Sequence, residues 1–107
     1  MYIAIVRMDT PAVDHDKAVE ISLSSTPTFA GLKDKGLLMK YYLSNEFGGS
    51  GGFYVWESKE AADAWYTPEW SARLQKTYGV KPSVTFFDSF VQVDNKNGCI
   101  VVDGQAQ

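Results

Sequence analysis

The sequence predicts an α+β domain whose elements run β-α-β-β-α-β. Three observations carry this. Apolar, aromatic and β-branched runs at Tyr2–Met8, Leu37–Ser44, Phe53–Glu57 and Val84–Val93 read as four strands. The first and second strands, and likewise the third and fourth, are separated by segments with helix start and stop signals. The second and third strands are joined only by Gly48–Gly52, a hairpin connection. This order is the ferredoxin-like arrangement. At 107 residues, one domain spanning 1–107 is expected, with about 98–107 as a C-terminal hairpin or tail.

Each element has a local justification. Tyr2–Met8 is bounded by Asp9-Thr10-Pro11, which ends a strand. Asp14 or Asp16 caps a helix starting near Lys17, because a carboxylate there accepts the free amide protons of the first turn. Val19, Ser22 and Leu23 form a modest inner stripe, and Pro27 is expected to kink or restart the helix. Phe29 and Leu32 close the core, and Gly36 ends the segment. Ser58 caps a second helix, through Trp65 or Tyr66. Thr67-Pro68-Glu69 restarts it with a capping hydroxyl, a proline at the first helical position and an acid in the first turn. Trp70, Leu74 and Thr77 or Tyr78 share a face, and Gly79 ends the helix. Asn97-Gly98 signals a hairpin turn into a short fifth strand, and the tail after Asp103 is expected to be loose.

The strands do not alternate cleanly. YIAIVRM, LLMKYYL, FYVW and VTFFDSFVQV carry apolar residues at odd and even positions alike. A sheet with one wet face alternates, so both faces need cover. Two helices cover one. A second copy of the chain, packed through a two-fold interface, is the simplest cover for the other. Phe53, Val55, Phe87, Val91 or their neighbours are expected to meet it.

Composition narrows the function. A net charge of −3 without a basic run argues against nucleic acid or an anionic membrane as main partner. No apolar run approaches the about 18 residues of a membrane span. MYIAIVRMD reads as a strand and lacks the basic region and cleavage site of a signal peptide. Cytoplasmic residence is the expectation. Cys99 is the only cysteine and His15 the only histidine, which leaves no zinc cluster and no intrachain disulfide framework. GGSGG has no following lysine and sits in a hairpin, so it reads as a flexible turn and not as a phosphate loop.

GLLMKYYLSNE, GGFYVWESKEAADAWYTPEWSARLQKTYGV and VTFFDSFVQVDN together resemble the YdhR-like family of small monooxygenase-type proteins. That family belongs to the dimeric α+β-barrel superfamily, with the antibiotic-biosynthesis monooxygenases as relatives. The resemblance runs from Tyr2 to about Asn95. It implies a ferredoxin-like protomer, a homodimer with sheets packed face to face, and a pocket between each sheet and its helices. It also implies oxidation of a small aromatic, phenolic or quinol substrate by O2, with the substrate supplying the electrons and with no metal, flavin or other cofactor. Heme-degrading relatives carry a histidine on the second long helical segment; Ala61–Tyr78 has none.

Such chemistry needs a water-poor cavity, an aromatic wall and a cation that favours the phenolate. Tyr42, Trp56, Trp65, Trp70, Phe86 and Phe90 are the candidate walls. The first five form the expected substrate-binding set, with Trp65 and Trp70 facing Tyr42 and Phe86. The cation is Arg73, one helical turn beyond Trp70, or Lys40 in the second strand; Arg73 is the primary catalytic candidate. Tyr41, Tyr42 and Tyr54 offer hydroxyls. Each residue also has a plainer role: the tryptophans as core, Arg73 as a solvated helix residue, Lys40 extended outward from the sheet edge. Asp88 is unusual inside an aromatic strand, and if buried it needs Arg73 or Lys40 as partner. The alternatives to an oxygenase are a non-catalytic dimeric module that binds a small apolar ligand or assembles with itself, and an isomerase or lyase on the same fold.

Overall fold

A computed structural model describes residues 1–107. Strand β1 (Tyr2–Met8) leads to helix α1 (His15–Ala30), a short 3-10 turn at Lys33–Lys35, and strand β2 (Leu37–Ser44). Strand β3 (Ser50–Trp56) follows, then helices α2 (Lys59–Trp65) and α3 (Pro68–Tyr78), and strand β4 (Ser83–Asp88). These four strands make one antiparallel sheet in the order β2-β3-β1-β4, the ferredoxin-like order. The chain then forms a second, three-stranded sheet from β5 (Val91–Asp94), β6 (Cys99–Val102) and β7 (Gln105–Ala106). No helix is long and apolar enough to cross a membrane.

Alternation along the strands assigns the two faces of the main sheet. Ala4, Val6, Tyr54 and Trp56 point toward the helices and are buried there with Leu37, Ala62 and Trp70. Tyr66, just after α2, is the hub of this layer. Its ring meets Tyr54, Trp56, Trp70 and Phe86 edge-on at 4.9–5.8 Å. The Trp56 indole N–H donates to the Tyr66 hydroxyl at 3.1 Å, which satisfies both polar tips inside an apolar layer. The opposite face presents Ile3, Ile5, Phe53 and Val55, flanked by Met39, Tyr41 and Phe87, each of the last three about half exposed. Nothing else in the chain covers it. The doubly apolar strand pattern therefore corresponds to one face under helices and one open face.

Helix caps follow the sequence signals. Asp14, rather than Asp16, is the cap of α1, accepting from the Lys17 amide at 2.8 Å. Ser58 and Thr67 cap α2 and α3, and Gly79 ends α3 with φ +76°. Pro27 does not restart α1, which runs through it to Ala30. Proline removes the amide that would bond the Leu23 carbonyl. The Thr26 hydroxyl donates to that carbonyl instead, at 2.9 Å.

Three expectations need correction at the strand ends. The Val84–Val93 strand is two strands, β4 and β5, broken at Ser89-Phe90. Asp88 pairs with Tyr2 and Ser89 bonds Met1, and the pairing with β1 stops there. Val91 therefore lies outside the main sheet. Asn97-Gly98 does lie in a hairpin, but the loop has four residues, between paired Asp94 and Cys99. The Asp94 carboxylate accepts from the Asn97 side chain and backbone, which holds it below the usual carboxylate range. The tail is ordered as a strand: Asp103 (φ +48°) and Gly104 (φ +80°) make the two-residue left-handed turn that pairs Val102 with Gln105.

Candidate functional site

A cavity of about 750 Å³ lies between the helix-facing side of the sheet, α1 and α3. Its origin is legible in α1. That helix contributes no buried residue, and the face lining the cavity carries Ala18, Ser22 and Ser25 beside Ile21 and before Phe29. Ala18, Ser22 and Ser25 are small side chains at helical spacing, so they leave part of the gap between helix and sheet unfilled. Trp70, Leu74 and Thr77 close the α3 side. The sheet floor is thinned by glycine. A Cβ on Gly52 would come within 2.6 Å of the Tyr54 ring, and one on Gly51 within 1.8 Å of the Val6 carbonyl oxygen. The Gly51 position, set against backbone, excludes any larger residue, whereas a residue at Gly52 would have to displace the Tyr54 ring.

The inner wall is aromatic. Phe29 meets Tyr42, Tyr54 and Trp65 edge-on with ring centres 5.7–6.2 Å apart. The Tyr42 hydroxyl lies 2.8 Å from the Ser25 hydroxyl and ties β2 to α1 across the cavity. The Trp65 indole N–H is buried without a partner. A bare buried donor costs about 1–3 kcal/mol.

Lys40 is the chemically distinctive group. It sits on the edge strand β2, but its side chain turns inward over the helix-facing wall. Its Nζ lies 3.3 Å from the centre of the Phe29 ring, 4.0 Å from Tyr42 and 4.7 Å from Tyr54. The ion pairs of the chain are His15–Asp16, Lys17–Glu20 and Lys59–Asp63, so Lys40 has none. No carboxylate lines the cavity. Burial lowers the Lys40 pKa to about 7, because the apolar wall disfavours the charged form. The ring faces attract the ammonium and act in the opposite direction. Burial and the ring faces thus act against each other in setting the charge of the amine.

Of the residues expected from the sequence, Tyr42, Trp65, Trp70 and Arg73 line this cavity together. Arg73 is exposed, with its guanidinium 5.8 Å from the centre of the Trp65 ring. Trp56 and Phe86 lie elsewhere. Trp56 is fully buried against Tyr66, and Phe86 stacks on Tyr2 at 5.6 Å toward the β4 edge. The expected wall of Tyr42 and Phe86 is thus Tyr42 with Phe29 and Tyr54. Phe90 is exposed between the two sheets, and Asp88 is exposed and paired with neither Arg73 nor Lys40. His15 is an exposed residue at the start of α1, 3.1 Å from Asp16. Phe29 and Ser25 carry no motif. Their only signal is the run of small residues on one face of α1.

No protein-family model matches the chain, and no curated protein is similar to it. Among solved structures, it is similar to a Deinococcus radiodurans protein described as a "putative antibiotic biosynthesis monooxygenase", solved at 1.40 Å. The TM-score is 0.60 with 12% sequence identity, over 88% of this chain and 97% of that one. At that identity the likeness concerns the fold.

Proposed function

We propose that the chain is an oxygenase that acts on a small phenol or hydroquinone held in the cavity under α1, using O2 and the substrate's own electrons. The observation that carries this reading is Lys40, a half-buried amine without a carboxylate partner on an aromatic wall. An uncharged amine there accepts the phenolic proton, and the resulting ammonium holds the phenolate beside it. The electron-rich phenolate reduces O2, the oxygen adds to the ring, and loss of water leaves a quinone. For a simple phenol the reaction balances: each phenol and each O2 consumed give one benzoquinone and one water. The ring faces of Phe29, Tyr42 and Tyr54 bind a flat substrate, and Arg73 adds positive charge on the α3 side. The fold shared with a monooxygenase-type protein is consistent with this chemistry.

The proposed working unit is a homodimer in which a second copy covers Met39, Tyr41, Phe53 and Phe87 on the open sheet face. Exposed apolar area of that kind is rare on monomers. An oxygen electrode with a panel of hydroquinones and phenols tests the function. Oxygen consumption above the uncatalysed rate, with one O2 used per quinone formed from a phenol, supports it. No excess consumption across the panel contradicts it.

A further inference from the structure

We propose that Lys40 is also a nucleophile, and that the cavity captures small aromatic aldehydes or ketones as an imine on its Nζ. The inference uses the same cavity but none of the oxygen chemistry, so either stands without the other. Four features converge. The amine is held on a wall of three rings, 3.3–4.7 Å from their centres, in a position where burial favours the neutral form. It makes no ion pair that would hold it as ammonium. The cavity beside it is mostly apolar and, at about 750 Å³, accepts a one- or two-ring ligand. A hydroxyl pair, Ser25 and Tyr42, stands on the same wall as a proton relay.

The step balances without oxidant or reductant. The Nζ lone pair forms a bond to the carbonyl carbon while the C=O π pair moves to oxygen. The oxygen takes up a proton as the amine loses one, giving a carbinolamine. A second proton reaches that oxygen, the C–O bond breaks, water leaves, and the nitrogen lone pair closes the C=N bond. An apolar site favours the dehydrated product because it holds little water. The other groups lining the cavity that carry or change charge are Tyr42 and Tyr54 on the sheet and Arg73 and Tyr78 on α3. Burial pushes Tyr54 up, so it stays neutral wherever the amine titrates.

The test is reductive trapping on the full chain. The protein is incubated with 2-naphthaldehyde at pH 7, reduced with cyanoborohydride, and mapped by peptide mass spectrometry. About half of an amine with pKa near 7 is uncharged at that pH, against on the order of one in a thousand for an ordinary lysine. A single adduct at Lys40, formed at least about 10-fold faster than at any other lysine, is expected. Lys40→Arg should lose that adduct while keeping its circular dichroism spectrum. Labelling spread over the N-terminal amine and the surface lysines with no excess at Lys40 overturns the inference, as does an undiminished adduct in Lys40→Arg. Because the trapping reads the wild-type chain without O2 turnover, an inactive oxygenase with a Lys40 adduct still supports it.

Discussion

Lys40 Nζ sits 3.3 Å above the centre of the Phe29 ring, and no acid answers it. An amine placed on a strand is normally turned outward to water. Here the alternation of β2 turns it inward, because Lys40 pairs with Tyr54, whose ring belongs to the helix-facing layer. The fold thus keeps a charge-bearing group where a leucine or methionine would pack better.

That cost is measurable through pH. The folded pKa of Lys40 is about 7, below its unfolded value of 10.5. Between those values the unfolded chain binds more protons, so stability should rise with pH across the window. The penalty is fully present below pH 7 and is relieved as pH approaches 10. Lys40→Met should therefore stabilise the chain at pH 6 by about 1–3 kcal/mol, a figure already reduced for partial solvent screening. Its advantage should shrink by pH 9.5. Urea unfolding at the two pH values checks this, and an equal effect at both would show that the amine is not buried as described.

Trp70→Ala should cost about 3–5 kcal/mol, the range for truncating a buried aromatic. Trp70 is 4% exposed and meets Tyr66 edge-on at 4.9 Å, so the loss opens the centre of the helix-facing layer. Thermal or urea denaturation reads it directly. A change under about 1 kcal/mol would mean that the layer collapses around the gap.

Arg73→Ala separates a functional from a structural role. The side chain is exposed and forms no ion pair, so stability should change by less than about 0.5 kcal/mol. On the proposed reading, turnover falls while substrate binding is nearly kept, because phenolate charge counts most at the oxidation step. Unchanged kcat would remove Arg73 from the mechanism.

The open sheet face predicts a dimer at micromolar concentration in sedimentation velocity. Glutamate at Tyr41 and Phe87 together, both about half exposed on that face, should yield a folded monomer. A wild-type monomer under those conditions ends the dimer proposal.

Much of the fold was legible from local signals, and the site less so. Ser58, Thr67-Pro68 and Gly79 each specify a helix end by chemistry that needs no distant partner. The strand break at Ser89 was not legible, because it falls where the pairing with β1 stops, a tertiary fact. Pro27 does not restart the helix, because the Thr26 hydroxyl compensates its missing amide. At the site, Trp70 and Arg73 were placed together through helical spacing, and Trp65 was named as a further aromatic wall. Trp56 and Phe86 were grouped with them because strand alternation assigns a face, not a position along it; both share the face but lie under Tyr66. Asp103-Gly104 carried a hairpin signal as strong as Asn97-Gly98, yet lay too near the chain end to suggest a further strand.

The proposed chemistry rests on Lys40 as an amine poised between its two forms on the cavity wall. The most direct measurement is the pH titration of the Lys40 side-chain carbon signal by NMR in lysine-labelled protein, assigned with Lys40→Arg, without and with a phenol. A midpoint near 7 is expected for the free chain, moved upward when the phenol binds and its anion pairs with the ammonium. A midpoint near 10 in the free chain, unaffected by phenol, would contradict it.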